Sequence, residues 1–556
     1  MFNEALELTK KLVSIPSVNT TFGEHDIAVF IEEYLREIPY FKEHPNQVIV
    51  QHLKNDDLDR RNVFALIKGE KGESKDTIML HGHMDTVQVE DFGSLKPFAF
   101  NPDDLANELK KIDLPQEVRA DLESGDWMFG RGACDMKSGV AVFMAIIKKL
   151  STMAEKIDGN ILLSVNPVEE NLHTGIIEGL EVIEKLIEKE KLNFVLAINN
   201  DYICPLYPGD TTRYVYTGAV GKILPCFYIQ GKETHVGQCF EGFDSSMVSA
   251  EIIRLINLNT DFSEGYKGEY TLPPSVLKIK DLKTQYNVQT SFESFIYFNY
   301  FIHNASIKEI MNKLKKAART ALDNVLKNIN DNYKSFCELS DMEYKEIKYD
   351  TQVLEYDELY KKAKKSFNGD LDLYIDGITE KCLKDNVDKR EIPLEITRKL
   401  SLIAKINTPT VVIFFAAPYC PHNTLKDGDE KEKVVYEKIH GIIKEFQEES
   451  EEKYEMMQFF PSLSDSSYLK IDDDDESLDM LIENFPAYEE IYNVPLKKIK
   501  NLNIPAINYG CYGKDAHKWT ERVYKPYTFE VLPKLIMYTL DKYFINQAKE
   551  SMNCNL

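Results

Sequence analysis

Apolar positions recur at helical spacing near the start of the chain: Ala5, Leu8 and Leu12, then Ile27, Phe30, Ile31 and Tyr34. This predicts helices over residues 3–13 and 25–36. Short apolar runs of strand length follow at residues 63–67, 78–80, 161–165 and 194–198. Between them, residues 140–147 are apolar on every side, as a helix buried against a sheet requires. Alternation of this kind predicts an α/β layer structure with a largely parallel central sheet.

The texture changes near residue 214. Residues 214–230 and 287–300 read as strands, each followed by a helical pattern (245–256 and 307–326), and residues 344–354 can supply a closing strand. That order predicts a separate α+β domain of ferredoxin-like kind over residues 214–355. Buried-strand signals return at 411–416 and 504–509. The parent domain is therefore expected to occupy residues 1–213 and 356–556.

Composition narrows the function classes. The chain is 43% hydrophobic and 28% charged, which is globular. Its net charge of −24 argues against nucleic acid or an anionic membrane as a partner. The longest apolar run, residues 411–417, is far short of the roughly 18 residues of a membrane span. The first residues mix acids and bases and do not read as a signal peptide. Nine cysteines lie scattered without a CxxC pair, which suits free thiols in a reducing cytosol, so a cytoplasmic protein is expected. The acidic run 472–476 reads as a solvated loop.

The chemistry lies where His, Asp and Glu fall relative to the strands. His83 and Asp85 sit in LHGHMDTV, directly after a predicted strand, and Asp135 sits in GRGACDMKSG, just before the buried helix. Glu169 and Glu170 close ILLSVNPVEE, and Asp201 closes FVLAINND. His517 and Glu521 occur in GKDAHKWTERV, downstream of the strand at 504–509. Ligand sites of open α/β sheets gather beyond the carboxyl ends of the strands, so these distant residues can converge. Two imidazoles with several carboxylates suit zinc, and one bridging carboxylate would make a two-metal hydrolytic site. Singly each element has a plain reading: a hydrogen-bonded strand end, a surface glutamate pair, a glycine turn. Five of them in one order outweigh those readings.

That order, HxD, GRGxxDMKxG, EE, a single acidic residue and a late histidine, resembles the zinc peptidases and amidohydrolases. This family includes carboxypeptidase G, aminoacylase, succinyl-diaminopimelate desuccinylase and peptidase T. Within it, RYVYTGAVGK, GKETHVG, FFPSLSDSSYL and AHKWTERV are similar to RocB-type arginine-utilisation proteins. The resemblance implies a zinc-peptidase catalytic domain with a central mixed sheet, and an inserted α+β domain serving as lid and dimerisation domain. It also implies His83 and Asp201 on one zinc, Glu170 and His517 on the other, and Asp135 bridging both. Asp85 would orient the His83 imidazole, Glu521 would serve His517 likewise, and Glu169 remains as general base. His235, in GKETHVG, would stabilise the oxyanion from the lid, often in a partner subunit, and Asn287 would contact substrate. Nitrogen and oxygen ligands accept cobalt or manganese as well as zinc. The implied substrate is a small peptide or an N-acyl amino acid, and the implied assembly a homodimer.

Three departures from the family pattern stand out. Asp201 replaces the commoner Glu. Asn299 lies near where many relatives place an arginine for a substrate carboxylate, which removes a bidentate clamp. Residues 88–126 exceed the usual connection and are expected to form a cover over the cleft. Competing readings are a regulatory metal-binding protein on a retired hydrolase fold, and a phosphatase. The first leaves Glu169 without a purpose. The second lacks basic phosphate clamps near the motifs.

Overall fold

Apolar runs with no polar face to offer water must be covered on both sides, and the computed structural model covers them in layers. It describes residues 2–462 and 464–545. Two compact units result, one within residues 1–219, 423–471 and 497–556, the other Val220–His422 with Asp472–Leu496.

The first unit is built on an eight-stranded sheet. Its spatial order is Val48–His52, Arg61–Lys68, Asn160–Asn166, Asp76–His83, Asn193–Asn199, Ala506–Tyr509, Arg213–Tyr216 and Tyr454–Met457. Four of the seven pairings are parallel and three antiparallel, so the sheet is mixed rather than largely parallel. The central strands are parallel and end level. His83 faces Asn166 across one ladder, His81 faces Asn199 across another, and Asn508 faces Asn199 in a third. Residues that follow these strands are thereby delivered to one edge.

Helix Lys137–Ser151 is buried along nearly its whole length, as its apolar pattern requires. Gly139 allows it to approach the sheet closely. A Cβ there would lie 2.4 Å from the Asn200 carbonyl, next to Asp201. Helices Phe2–Val13 and Gly23–Glu37 bury the predicted stripes Ala5, Leu8, Leu12 and Ile27, Ile31. Residues 88–126 fold into short helices, including Pro102–Leu109 and Gln116–Ser124, around a small apolar core of Phe92, Leu105, Leu109 and Leu122.

The second unit holds a five-stranded sheet ordered Ser275–Asp281, Glu293–Ile302, Gly221–Gln230, Thr410–Cys420, Gln352–Glu355. With helices Ser245–Ile256 and Ile307–Leu339, the chain runs strand, helix, strand, strand, helix, strand, and the strand Ser275–Asp281 adds one to the order read from the sequence. Thr410–Cys420 is the exception. The apolar run expected to return to the parent domain instead lies between Gly221–Gln230 and Gln352–Glu355, pairing antiparallel with the first and parallel with the second. All eleven of its residues are buried, so it needs neighbours on both edges and both faces. The return to the first unit thus falls at residue 423, not 356. At the other boundary the predicted strand 214–230 divides, because Arg213–Tyr216 joins the first sheet and Gly221–Gln230 the second.

The acidic run 472–476 is not an open loop, since the Asp474 side chain caps helix Asp475–Glu483 by accepting from the Ser477 amide. Among the described residues, Cys134 to Cys511, no two cysteines form a disulfide; Cys554 lies outside the described residues. Among the described residues no helix is long and apolar enough to cross a membrane.

Candidate metal centre

Six of the predicted residues meet beyond the level strand ends. His83 closes its strand, and its Nε2 lies 3.1 Å from Asp135 Oδ1. The other oxygen of Asp135 lies 3.1 Å from His517 Nε2, which is 3.0 Å from Glu170 Oε1. Asp135 therefore stands between two imidazoles, one on each carboxylate oxygen. Potential ligand atoms fall within 4.8 Å of one another in overlapping groups: His83, Asp135 and Asp201; Asp135, Glu170 and His517; His83, Glu169 and Glu170. His517 is half exposed, whereas the side chains of His83, Asp135, Glu169 and Glu170 are each under 10% exposed.

Buried carboxylates around this cluster fix the backbone that carries it. Asp85 accepts from the amides of Glu169 (3.0 Å) and Glu170 (3.1 Å) and from the Asn19 side chain (2.9 Å). It also meets His83. The ring Nδ1 is 3.1 Å from the Asp85 carbonyl and 3.6 Å from its carboxylate. Glu24 accepts from the Val168 amide (3.1 Å) and pairs with Arg60 (3.2 Å). Val168 has φ of +69°, a conformation a β-branched residue adopts only when its surroundings dictate it. Three consecutive amides, 168 to 170, are thus held by two buried carboxylates.

Glu521 departs from its expected role. It turns to the loop that carries Asp135, accepting from the Cys134 amide (3.1 Å), the Asp135 amide (3.3 Å) and Arg131 (2.8 Å). It holds the central carboxylate's loop rather than His517.

The electrostatics match a cation site. Burial and the neighbouring Asp135 charge push the Asp201 carboxyl up to about 8, and burial raises Glu169 and Glu170 as well. Burial alone would lower the His83 imidazole, but Glu169, Asp135 and Asp85 raise it well above its ordinary value. Desolvation opposes the His517 shift too, yet bonds and charge from Asp135 and Glu170 lift it to about 11. Several acids in one buried space thus draw protons onto themselves and onto both imidazoles. Two divalent cations would supply the same positive charge, and the donor set of two imidazoles and carboxylates suits zinc, cobalt or manganese.

These shifts set a pH dependence for protein stripped of metal. Asp201 titrates near 8 in the fold against an ordinary 3.8, so the fold keeps a proton that the unfolded chain releases, and stability falls as pH climbs between the two. Stability from the raised histidines is complete below 6.5 and is lost as pH rises through their folded values. Both act in one direction. Chelator-treated protein should melt at a lower temperature at about pH 8 than at about pH 6, and added zinc should narrow that gap. Thermal melts at both pH values check this; a stripped protein that gains stability on going to the higher pH contradicts it.

The remaining predicted residues lie in the second unit. His235 is exposed, its Nδ1 accepts from the Gly237 amide (3.0 Å), and it bridges to Gln289. Asn287, also exposed, donates to the Gln289 side chain (3.0 Å), so the two share one local patch. Asn299 lies partly buried on strand Glu293–Ile302.

Sequence reasoning missed a second buried group beside Glu169. His173 Nδ1 is 3.0 Å from Asp465 and 3.9 Å from Glu169. The signal was present but unread. His173 follows Glu169 by four residues at the start of helix Thr174–Glu190, and Asp465 lies within FFPSLSDSSYL.

Residues 79–471 match the family model described as peptidase family M20/M25/M40. Protein RocB of Bacillus subtilis (strain 168) is 40% identical over 538 residues, covering 96% of this chain and 93% of that protein. The uncharacterized protein YqjN of the same organism is 34% identical over 552 residues, covering 97% and 96%. Among solved structures, aminopeptidase PepT from Bacillus cereus ATCC 10987 shares the fold, with a TM-score of 0.53 at 13% identity, covering 98% of both chains.

Proposed function

Because the chain belongs to peptidase family M20/M25/M40, we propose that it hydrolyses an amide bond in a small peptide or an N-acyl amino acid, with two zinc ions as cofactor. The single observation that carries this reading is Asp135, placed 3.1 Å from each of two histidines whose other neighbours are acidic. His83 and Asp201 would hold one ion, Glu170 and His517 the other, and Asp135 would bridge them. When bound, the pair supplies Lewis-acid activation of the scissile carbonyl and of a water nucleophile.

The chain's own residues then manage the proton. Glu170 is 3.0 Å from His517, which supports a ligand role, while Glu169 points its charge toward His83 (3.9 Å) and His173 (3.9 Å). Glu169 is assigned as the base that takes the proton from the attacking water and delivers it to the leaving nitrogen. Asp85 and Glu24 fix the amides on which both glutamates ride. His235 is assigned to the oxyanion and Asn287 to substrate, in a chain that works as a homodimer. Resemblance to the RocB type supports a place in arginine or other amino-acid degradation, and described cysteines that form no disulfide support a cytoplasmic setting.

A panel of N-acyl amino acids and dipeptides, assayed with metal content before and after chelation, tests the reading. Hydrolysis of at least one class should vanish on chelation and return with zinc. Activity that survives complete metal removal refutes it. On a confirmed substrate, His235→Ala should lower turnover about a hundredfold with metal content unchanged. Wild-type turnover in that variant would return His235 to a structural role.

A further inference from the structure

The segment FFPSLSDSSYL supplies no ligand to the two-ion scheme, yet its residues 464–469 are all buried. Burying a run of polar side chains is unfavourable unless they find partners. Ser464 accepts from the Asn199 side chain (2.6 Å), at the end of strand Asn193–Asn199. The Ser466 hydroxyl meets His81 Nε2 (3.0 Å) on strand Asp76–His83, and the Asn423 side chain donates to the Ser466 carbonyl (2.8 Å). Asp465 lies between these two anchored serines. The strand that ends in His83 and the strand that leads to Asp201 therefore fix its place.

What Asp465 holds is His173. Its Oδ1 is 3.0 Å from His173 Nδ1, and Tyr468 packs on the same ring with centroids 5.1 Å apart. The second oxygen of Asp465 is buried with no hydrogen-bond partner among the described residues, so the bond to His173 is the one that this carboxylate's burial secures. The backbone constrains His173 from the other side. Its φ is +53°, uncommon outside glycine, and its amide donates to the Val168 carbonyl (2.8 Å), which closes the loop that carries both glutamates.

Glu169 stands between these supports and the cluster. Its Oε1 is 3.9 Å from His173 Nδ1, and its Oε2 is 3.9 Å from His83 Nε2, so each oxygen faces a different imidazole. The last torsion of a glutamate is soft, and an unsupported carboxylate samples many orientations. A general base gains from being held in one. An ionised carboxylate only accepts, so His173 Nδ1 carries its hydrogen toward Asp465, and that positive edge is also what Oε1 faces.

We propose that His173 and Asp465 are positioning residues for the base: the pair keeps Oε1 of Glu169 to one side and leaves Oε2 turned to the ligand cluster, where the attacking water is. The role rests on the amide-hydrolase reading. It gives a purpose to a buried imidazole in a constrained backbone that neither ion position uses.

On a substrate from the panel, Asp465→Asn keeps the shape and should lower kcat about tenfold to a hundredfold, with KM and metal content unchanged. In a Glu169→Gln background the same change should cost less than about twofold, because no base is left to position. His173→Asn and His173→Gly both accept a positive φ. The asparagine restores an N–H donor and should keep kcat at least about fivefold above the glycine variant; this pair decides the matter should Asp465→Asn not fold. Since Glu169, His173 and Asp465 also offer ligand atoms within 4.8 Å of one another, bound metal is counted in every variant. The role is overturned by an undiminished kcat in Asp465→Asn, by a loss that multiplies fully with that of Glu169→Gln, by equal rates in the two His173 variants, or by a third bound ion that Asp465→Asn releases. The two readings fail differently. Wild-type protein that hydrolyses nothing in the panel removes the amidase and this role together, whereas hydrolysis that Asp465→Asn leaves at full kcat removes the role alone.

Discussion

Glu169→Gln should lower turnover by about a hundredfold to ten-thousandfold while the metal content stays at the wild-type level. The substitution keeps shape and hydrogen-bonding reach but removes the basic oxygen. Its neighbour provides the control. Glu170 lies 3.0 Å from His517 and shares a ligand group with Asp135, so Glu170→Gln should weaken metal at one position, with activity partly recovered by excess zinc. Metal content and rate are measured on both variants. Loss of metal from Glu169→Gln with retention in Glu170→Gln would mean that the two roles are exchanged.

Asp135→Ala should empty both metal positions together, whereas His83→Ala should empty mainly one. Asp135 has one oxygen 3.1 Å from His83 and the other 3.1 Å from His517, so its removal takes a ligand from each side at once. It also leaves two imidazoles facing each other across a buried space, which adds an unfavourable contact when both are protonated. Metal stoichiometry on the purified variants decides the matter. Full stoichiometry in Asp135→Ala excludes the bridge.

Much of the site is legible in the sequence because its parts follow strands. A strand of known end fixes where the next residues emerge, so His83, Glu169, Glu170 and Asp201 can be placed at one edge from strand signals alone. The division of labour between Glu169 and Glu170 cannot, since adjacent and chemically alike residues differ only in what stands opposite each. Opposite Glu169 are His173 and Asp465, separated by nearly three hundred residues, and no local pattern joins them. Glu521 misleads for a related reason: its nearness in sequence to His517 suggests a shared task, while the fold gives it to the amides of Cys134 and Asp135. The apolar run at 411–416 is legible as a buried strand, but burial on both edges says nothing about which sheet supplies them. The long 88–127 region is visible in the sequence as an extended connection, but its own small core of Phe92, Leu105, Leu109 and Leu122 is not.

Strand Ala506–Tyr509 lies inside the first sheet, between Asn193–Asn199 and Arg213–Tyr216, although some three hundred residues of chain separate it from either. On the ribosome, a nascent chain of this protein therefore carries a gap in the middle of its main sheet until residues 506–509 have been made. The growing polypeptide must hold two unsatisfied strand edges while nearly three hundred further residues are added, the situation in which chaperones are needed. His517 emerges later still, so the set of six converging residues is complete only when the whole scaffold is. A message truncated before codon 506 yields a protein that can neither close its sheet nor assemble its metal-binding groups.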